Sequence, residues 1–156
     1  MTHPMNAQLL PGQPVADAVF ADLKTRIAVL KAQGITPGLG TILVGDDGPS
    51  AGYVRKKHQF CQELGIASLH EAVDADAPQT QLLDAVERFN HNDAVDAFLI
   101  QWPLPAGFDF NQALLHMDSD KDADGLHPIN LGKLVLQEKG PVPCTPAGIQ
   151  AMFLHY

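Results

Sequence analysis

The sequence predicts an α/β fold: a mostly parallel, open sheet with helices on both faces, giving three layers. Three observations carry this. Segments whose apolar residues recur every three or four positions alternate with short apolar runs too brief to be helices. One of those runs, TILV (41–44), reads as a strand covered on both faces. Another, VDAFLIQ (95–101), is halted by WPLPAG, because proline cannot continue a central ladder.

Composition bounds the function. A chain of 156 residues, 46% hydrophobic and 18% charged, can bury a sizeable core as one domain of ordinary size. Its net charge of -8 argues against nucleic acid and anionic membrane surfaces as partners. No apolar run approaches the roughly 18 residues of a membrane span. The opening MTHPMNAQLLPGQP has neither the basic nor the apolar region of a secretion signal, so a cytoplasmic address is expected. Cys61 and Cys144 lie far apart and outside any CxxC pattern, which disfavours a disulfide framework. The histidines show no HxH or HExxH spacing, and no protein-bound metal is expected.

In order along the chain, Val15, Val19, Leu23, Ile27 and Leu30 mark an amphipathic helix whose stripe is expected in the core, with Pro14 at its first turn and Gly34 past its end. TILV follows as the first strand. Ser50 is expected to open the next helix and Gly65 to close it. Residues 66–73 form a second, less apolar strand that belongs nearer a sheet edge. Thr80 is read as the cap of a helix burying Leu82, Leu83, Val86 and Phe89, before the third strand. A short helix spans residues 111–117. Near the end, Thr145 is read as an N-cap with Pro146 at the first helical position, and Ile149, Met152 and Phe153 make an apolar face. The chain stops inside that helix without a capping glycine, as a piece of something longer would.

The helix between Ser50 and Gly65 holds the first chemical candidate. Projected at helical pitch, Tyr53, Lys57, Phe60, Cys61 and Leu64 fall on one side, so Lys57 sits within the apolar stripe while Arg55 points away. Two readings stand at this point. Either Lys57 snorkels along the stripe to water, or its desolvation favours the free amine and prepares it for proton transfer.

Ligands of open α/β sheets bind at the carboxyl ends of strands. The turn leading to Tyr53 and Lys57 lies there, as does Gln101 with the loop Trp102-Pro103-Leu104-Pro105. Gln101 equally suits bonding to loop backbone. Farther on, Asp118, Asp120, Asp122 and Asp124 alternate like the first half of a calcium-binding EF-hand loop. The second half fails, with Pro128 at the ninth position and Leu131 where a bidentate glutamate is required. These aspartates are therefore read as loop formers and caps on a solvated surface, except Asp124, whose carboxylate the following Gly125 can aim.

Tyr53-x-x-x-Lys57, Gln101-x-Pro103-Leu104-Pro105, Asp122-x-Asp124-Gly125-Leu126-His127-Pro128-x-Asn130-x-Gly132 and Pro143-Cys144-Thr145-Pro146 occur in that order. Together they resemble the amino-terminal part of the bifunctional methylenetetrahydrofolate dehydrogenase and methenyltetrahydrofolate cyclohydrolase family, from about Leu10 to about Ile149. The resemblance implies oxidation of 5,10-methylenetetrahydrofolate with NADP and hydrolysis of the methenyl product to 10-formyltetrahydrofolate, by a cytoplasmic homodimer of one-carbon metabolism. It implies that Lys57 is catalytic, that Gln101 contacts it and helps set its protonation state, that Tyr53 packs on the aminobenzoyl ring, and that Asp124 binds the pterin. Pro103 and Leu104 fall in the substrate-binding loop. Residues 1–144 would be the folate-binding catalytic domain, and 145–156 the start of the helix leading to an NADP-binding Rossmann domain. No GxGxxG turn for that domain occurs in these residues.

Three departures from the family pattern stand out. Trp102 replaces a smaller aliphatic residue and would narrow the folate cleft. Leu10-Pro11-Gly12-Gln13 replaces Leu-Asp-Gly-Lys. The Rossmann half is absent from the sequence. A rival function of another class is a non-catalytic folate-binding or protein-interaction module, which would bind without turnover.

Overall fold

The computed structural model describes residues 8–156. Its elements in order are α1 (Gln13–Ala32), β1 (Gly38–Val44), α2 (Gly48–Leu64), β2 (Ala67–Val73), α3 (Gln79–Asn90), β3 (Ala97–Ile100), α4 (Phe110–His116), α5 (Pro128–Val135) and α6 (Cys144–His155), with a 3-10 turn at Ser119–Lys121. The three strands form one parallel sheet in the order β2-β1-β3. As the weaker apolar pattern of residues 66–73 predicts, β2 is an edge strand, and it alternates between half-buried and exposed positions up to the buried Val73.

Central strand β1 extends three residues upstream of TILV because two glycines let neighbours approach. A Cβ at Gly40 would lie 2.8 Å from the Phe89 ring and from Phe98 Cβ, and one at Gly38 would collide with the Ala94 carbonyl. Asp96 Oδ2 accepts a 2.7 Å hydrogen bond from the Gly38 amide, which satisfies the first backbone donor of the strand.

Alternation along β1 divides the two faces. Ile42 and Val44 enter the main core with Leu82, Val86 and Phe89 of α3 and with Phe98 and Ile100 of β3. Phe89 and Phe98 meet edge to face, centroids 5.4 Å apart, as aromatic quadrupoles prefer. Thr41 and Leu43 face the other way, toward α2, which buries Val54, Cys61 and Leu64. The expected three-layer arrangement is therefore present.

The expectation for α1 fails. Of the stripe only Ile27 is buried; Val15, Leu23 and Leu30 are half-buried and Val19 is exposed. This helix packs on α2 and α6 rather than on the sheet, for instance through Phe20 against Phe60 at 5.0 Å, so it is an outer layer with little to cover it. The apolar face of α6 is likewise open, with Ile149 and Phe153 exposed. Two predicted caps also differ. Pro78 precedes α3, so Thr80 lies inside the first turn, and Pro143 precedes α6, so Thr145 does. Neither helix has a side-chain cap.

Candidate active site

Helix α2 starts two residues before Ser50. Asp47 is its cap, with Oδ2 accepting from the Ser50 amide at 3.1 Å, and Pro49 occupies the first turn, where its missing N–H is no loss. Gly65 ends the helix in the left-handed region at φ 75°, as predicted. Between them the buried line runs Ser50, Val54, Cys61 and Leu64: Cys61 and Leu64 lie as projected, while Val54 takes the place of Tyr53. Tyr53 is consequently 64% exposed. Lys57 stays inward, because it is three residues after Val54 and four before Cys61. Arg55 and Lys56 are both exposed.

Lys57 does not snorkel to bulk water. Its Nζ donates a 2.9 Å hydrogen bond to Gln101 Oε1. Gln101 follows directly on β3, its backbone N–H donating to the Ile42 carbonyl at 2.8 Å. The other end of its amide donates to the Trp102 carbonyl at 2.7 Å. Gln101 thus bonds loop backbone with one end of its amide and meets Lys57 with the other: the nitrogen ties down the loop, which leaves the oxygen aimed at the amine. Trp102 itself is 65% exposed beside this pair. Pro103 and Leu104 line a concavity with Gly45, Asp47 and Ala75 at the carboxyl ends of the strands.

Asp124 is brought to the same end by pairing of its own loop. The Ala123 N–H donates to the Phe98 carbonyl at 3.0 Å, which lays the segment alongside β3. Gly125 turns it sharply with φ 67°, and a Cβ there would lie 2.6 Å from the Val142 carbonyl carbon, so only glycine fits. Burial pushes the Asp124 carboxyl above the ordinary aspartate range, against the nearby Lys57 ammonium, which favours the charged form; Asp122 adds to the upward push. Cys144 Sγ lies 3.8 Å from Asp124 Oδ1. Its thiol is pushed up, first by burial and then by that carboxylate.

One aspartate departs from the solvated position that the sequence suggests. Asp122 is buried, not solvated: its Oδ2 accepts from the His127 backbone N–H at 2.8 Å and from Asn130 Nδ2 at 3.0 Å. It braces the loop that presents Asp124. His127 caps α5 through Nδ1, which accepts from the Ile129 amide at 3.2 Å. Spacing alone does not separate Asp122 from its exposed neighbours, although the x-Asn130 that holds it is visible downstream. Among the described residues no group of three or more His, Cys, Asp or Glu side chains is arranged to hold a metal ion.

Residues 10–124 match the family model described as tetrahydrofolate dehydrogenase/cyclohydrolase, catalytic domain. The chain belongs to the tetrahydrofolate dehydrogenase/cyclohydrolase family. It is 64% identical over 152 residues to the bifunctional protein FolD of Syntrophotalea carbinolica, covering 97% of this chain and 52% of that protein. Bifunctional FolD from Campylobacter jejuni superposes with a TM-score of 0.91 at 38% identity, over 96% of this chain and 53% of the other. The Trypanosoma brucei dehydrogenase-cyclohydrolase, solved with NADP cofactor and an inhibitor, gives a TM-score of 0.86 at 34% identity, over 92% and 50%. The chain therefore spans about half the length of the tetrahydrofolate dehydrogenase/cyclohydrolases it matches.

Proposed function

We propose that this chain is the folate-binding, catalytic half of an enzyme that oxidises 5,10-methylenetetrahydrofolate with NADP and hydrolyses 5,10-methenyltetrahydrofolate to 10-formyltetrahydrofolate. The observation that carries the reading is the 2.9 Å contact between Lys57 Nζ and Gln101 Oε1, at the ligand-binding end of the sheet with Asp124 nearby. In hydrolysis, water adds through oxygen to the methenyl carbon between two nitrogens while the Lys57 amine takes a proton from it. Loss of the second water proton and cleavage of the bond from that carbon to N5, with N5 protonated, leaves the formyl group on N10. Gln101 orients the amine. Asp124 accepts from the ring N–H and exocyclic amine of the pterin, two parallel donors that suit a carboxylate. The exposed ring of Tyr53 offers its face to the aminobenzoyl group, beside the apolar Pro103 and Leu104.

The β1–α2 turn does not suit a dinucleotide, because the helix N-terminus that could hold a pyrophosphate is taken there by the Asp47 carboxylate. In this proposal NADP binding belongs to the further length found in relatives. A cytoplasmic homodimer completes the proposal.

The test is equilibrium binding of tetrahydrofolate to the 156-residue chain, together with hydrolysis of the methenyl compound by a protein carrying this segment at the full family length. Binding and turnover that both depend on Lys57 are expected. Binding with turnover unchanged by Lys57 substitution would favour a passive folate-binding module.

A further inference from the structure

On the same turn of α2 as Lys57, a second polar group faces the sheet. His58 Nε2 lies 3.3 Å from Thr41 Oγ1, and its Nδ1 meets Ser68 Oγ. The same Thr41 hydroxyl lies 2.9 Å from His70 Nδ1. Thr41 is completely buried at the middle of β1, and the two imidazoles meet edge to face with centroids 5.4 Å apart. One hydroxyl thus joins α2, β1 and β2. The chemistry proposed above makes no use of it.

The hydrogens follow from the partners. His70 Nδ1 is also 3.2 Å from the Thr41 carbonyl oxygen, which can only accept, so that nitrogen carries a hydrogen and donates. Thr41 Oγ1 accepts from it and has its own hydrogen to give to His58 Nε2. His58 Nδ1–H is then left for Ser68. The Thr41 hydroxyl and both His58 nitrogens are then partnered with the His58 ring neutral, while Ser68 and His70 lie on the exposed face of β2. A proton added to His58 Nε2 would confront the hydroxyl hydrogen, forcing it toward the Leu69 carbonyl at 3.4 Å, and would set a positive charge against His70. Burial, and then His70, hold the His58 imidazole below the ordinary histidine range.

Among the described residues no carboxylate is recorded in contact with His58 or His70. Strand β1 carries no ionisable side chain. On β2, Glu71 lies on the opposite face from His70 and is engaged by Arg88 of α3 at 2.9 Å. From α1, the Lys31 ammonium lies over Gly65 at the far end of α2, and on α2 itself Glu63 is held by Gln59. Cys61, buried beside Ser68, is pushed toward the neutral thiol by burial.

We propose that Thr41, His58 and His70 form a clamp that sets how α2 sits on the sheet, and with it the approach of Lys57 to Gln101, and that acidification opens it. His58 and Thr41 are positioning residues in this scheme. The clamp stands on its own geometry; its consequence for Lys57 rests on the function proposed above. The sign is fixed by linkage. An unfolded His58 binds a proton near its ordinary value of about 6.5, whereas the folded one resists it, so stability is full above that pH and falls as pH drops through it.

The experiment uses the 156-residue chain as wild type, His58→Gln and Thr41→Val, with urea denaturation and tetrahydrofolate binding measured from pH 8 to pH 5. Ring-proton NMR follows His58 in the wild type. The expected result is a His58 midpoint below the ordinary histidine value and a denaturation midpoint that declines on acidification. His58→Gln, which keeps a hydrogen-bonding amide but cannot titrate, should lose part of that decline and part of the accompanying loss of folate affinity. Asp124 is present in both proteins, so the difference between them isolates the clamp. Thr41→Val should be weakened even at pH 8. An ordinary His58 midpoint, or an acid decline identical in wild type and His58→Gln, overturns the clamp. The wild-type titration decides the matter even if a variant fails to fold. Absence of folate binding by every protein would sink the functional reading while the denaturation data still decide the clamp.

Discussion

Replacing Lys57 with methionine separates charge from direction. Arg55→Met, Lys56→Met and Lys57→Met each remove one positive charge from neighbouring positions of α2, but only Lys57 faces Gln101, at 2.9 Å. Removing a positioned proton acceptor costs about 10²- to 10⁴-fold in rate, which at 1.36 kcal/mol per factor of ten is about 3–5 kcal/mol of transition-state stabilisation. The cost in folding is far smaller. Losing a hydrogen bond from a charged donor is worth about 1.5–3 kcal/mol where nothing replaces it, yet the site is only half buried and water can reach Gln101. Methionine also suits the line of Val54 and Cys61 and is a good helix former, so the net change should stay within about 1 kcal/mol. At Lys56 the loss is limited to an exposed ammonium 5.7 Å from the Phe60 ring centroid. Disappearance of the methenyl chromophore measures turnover, and tetrahydrofolate binding with urea denaturation measures the rest. Lys57→Met should lose turnover at least about a hundredfold with binding partly kept. Lys57→Arg should fail as well, since a guanidinium stays protonated. Near-normal turnover in Lys57→Met would refute the assignment, and with it the argument from helical direction.

Asp124→Asn should weaken tetrahydrofolate binding by roughly tenfold or more while raising stability at neutral pH. Burial raises the folded carboxyl above its unfolded value, so the stability it contributes is present at low pH and lost as pH rises through the folded value; urea midpoints at pH 4 and pH 7 check the sign. Asp122→Ala leaves the His127 N–H and one of the two Asn130 Nδ2 hydrogens without a partner in a buried site, the other still donating to the Ser119 carbonyl, and should cost about 2–4 kcal/mol in denaturation. Asp118→Ala removes only an exposed cap, at about 1 kcal/mol or less, and should leave folate binding unchanged. Added calcium should not shift the thermal midpoint, because Asp122 is turned inward to His127 and Asn130 and a ligand stabilises only by binding the native state.

Most of the architecture is legible in the sequence because local patterns and global burial agree there. The apolar run 41–44, the amphipathic α3 and the proline stop after Gln101 each record a buried face in residue type alone. Lys57 is legible as an inward residue for the same reason, since its neighbours three and four positions away are apolar whichever of two adjacent phases is taken. Other features are decided by neighbours distant in the chain. Tyr53 and Val54 are both large and apolar, and only the docking of α2 on β1 and β2 buries the second and exposes the first. The stripe of α1 looks like core but has an outer-layer position, because what lies against a helix is not written in its own period. Four alternating aspartates are chemically identical in sequence. Tertiary structure alone sends Asp122 to His127 and Asn130, Asp124 toward Lys57, and Asp118 to solvent, because a carboxylate's role is set by the donors that surround it. The Thr41 hydroxyl likewise reads as an ordinary strand residue until the fold brings His58 and His70 to it from two other elements.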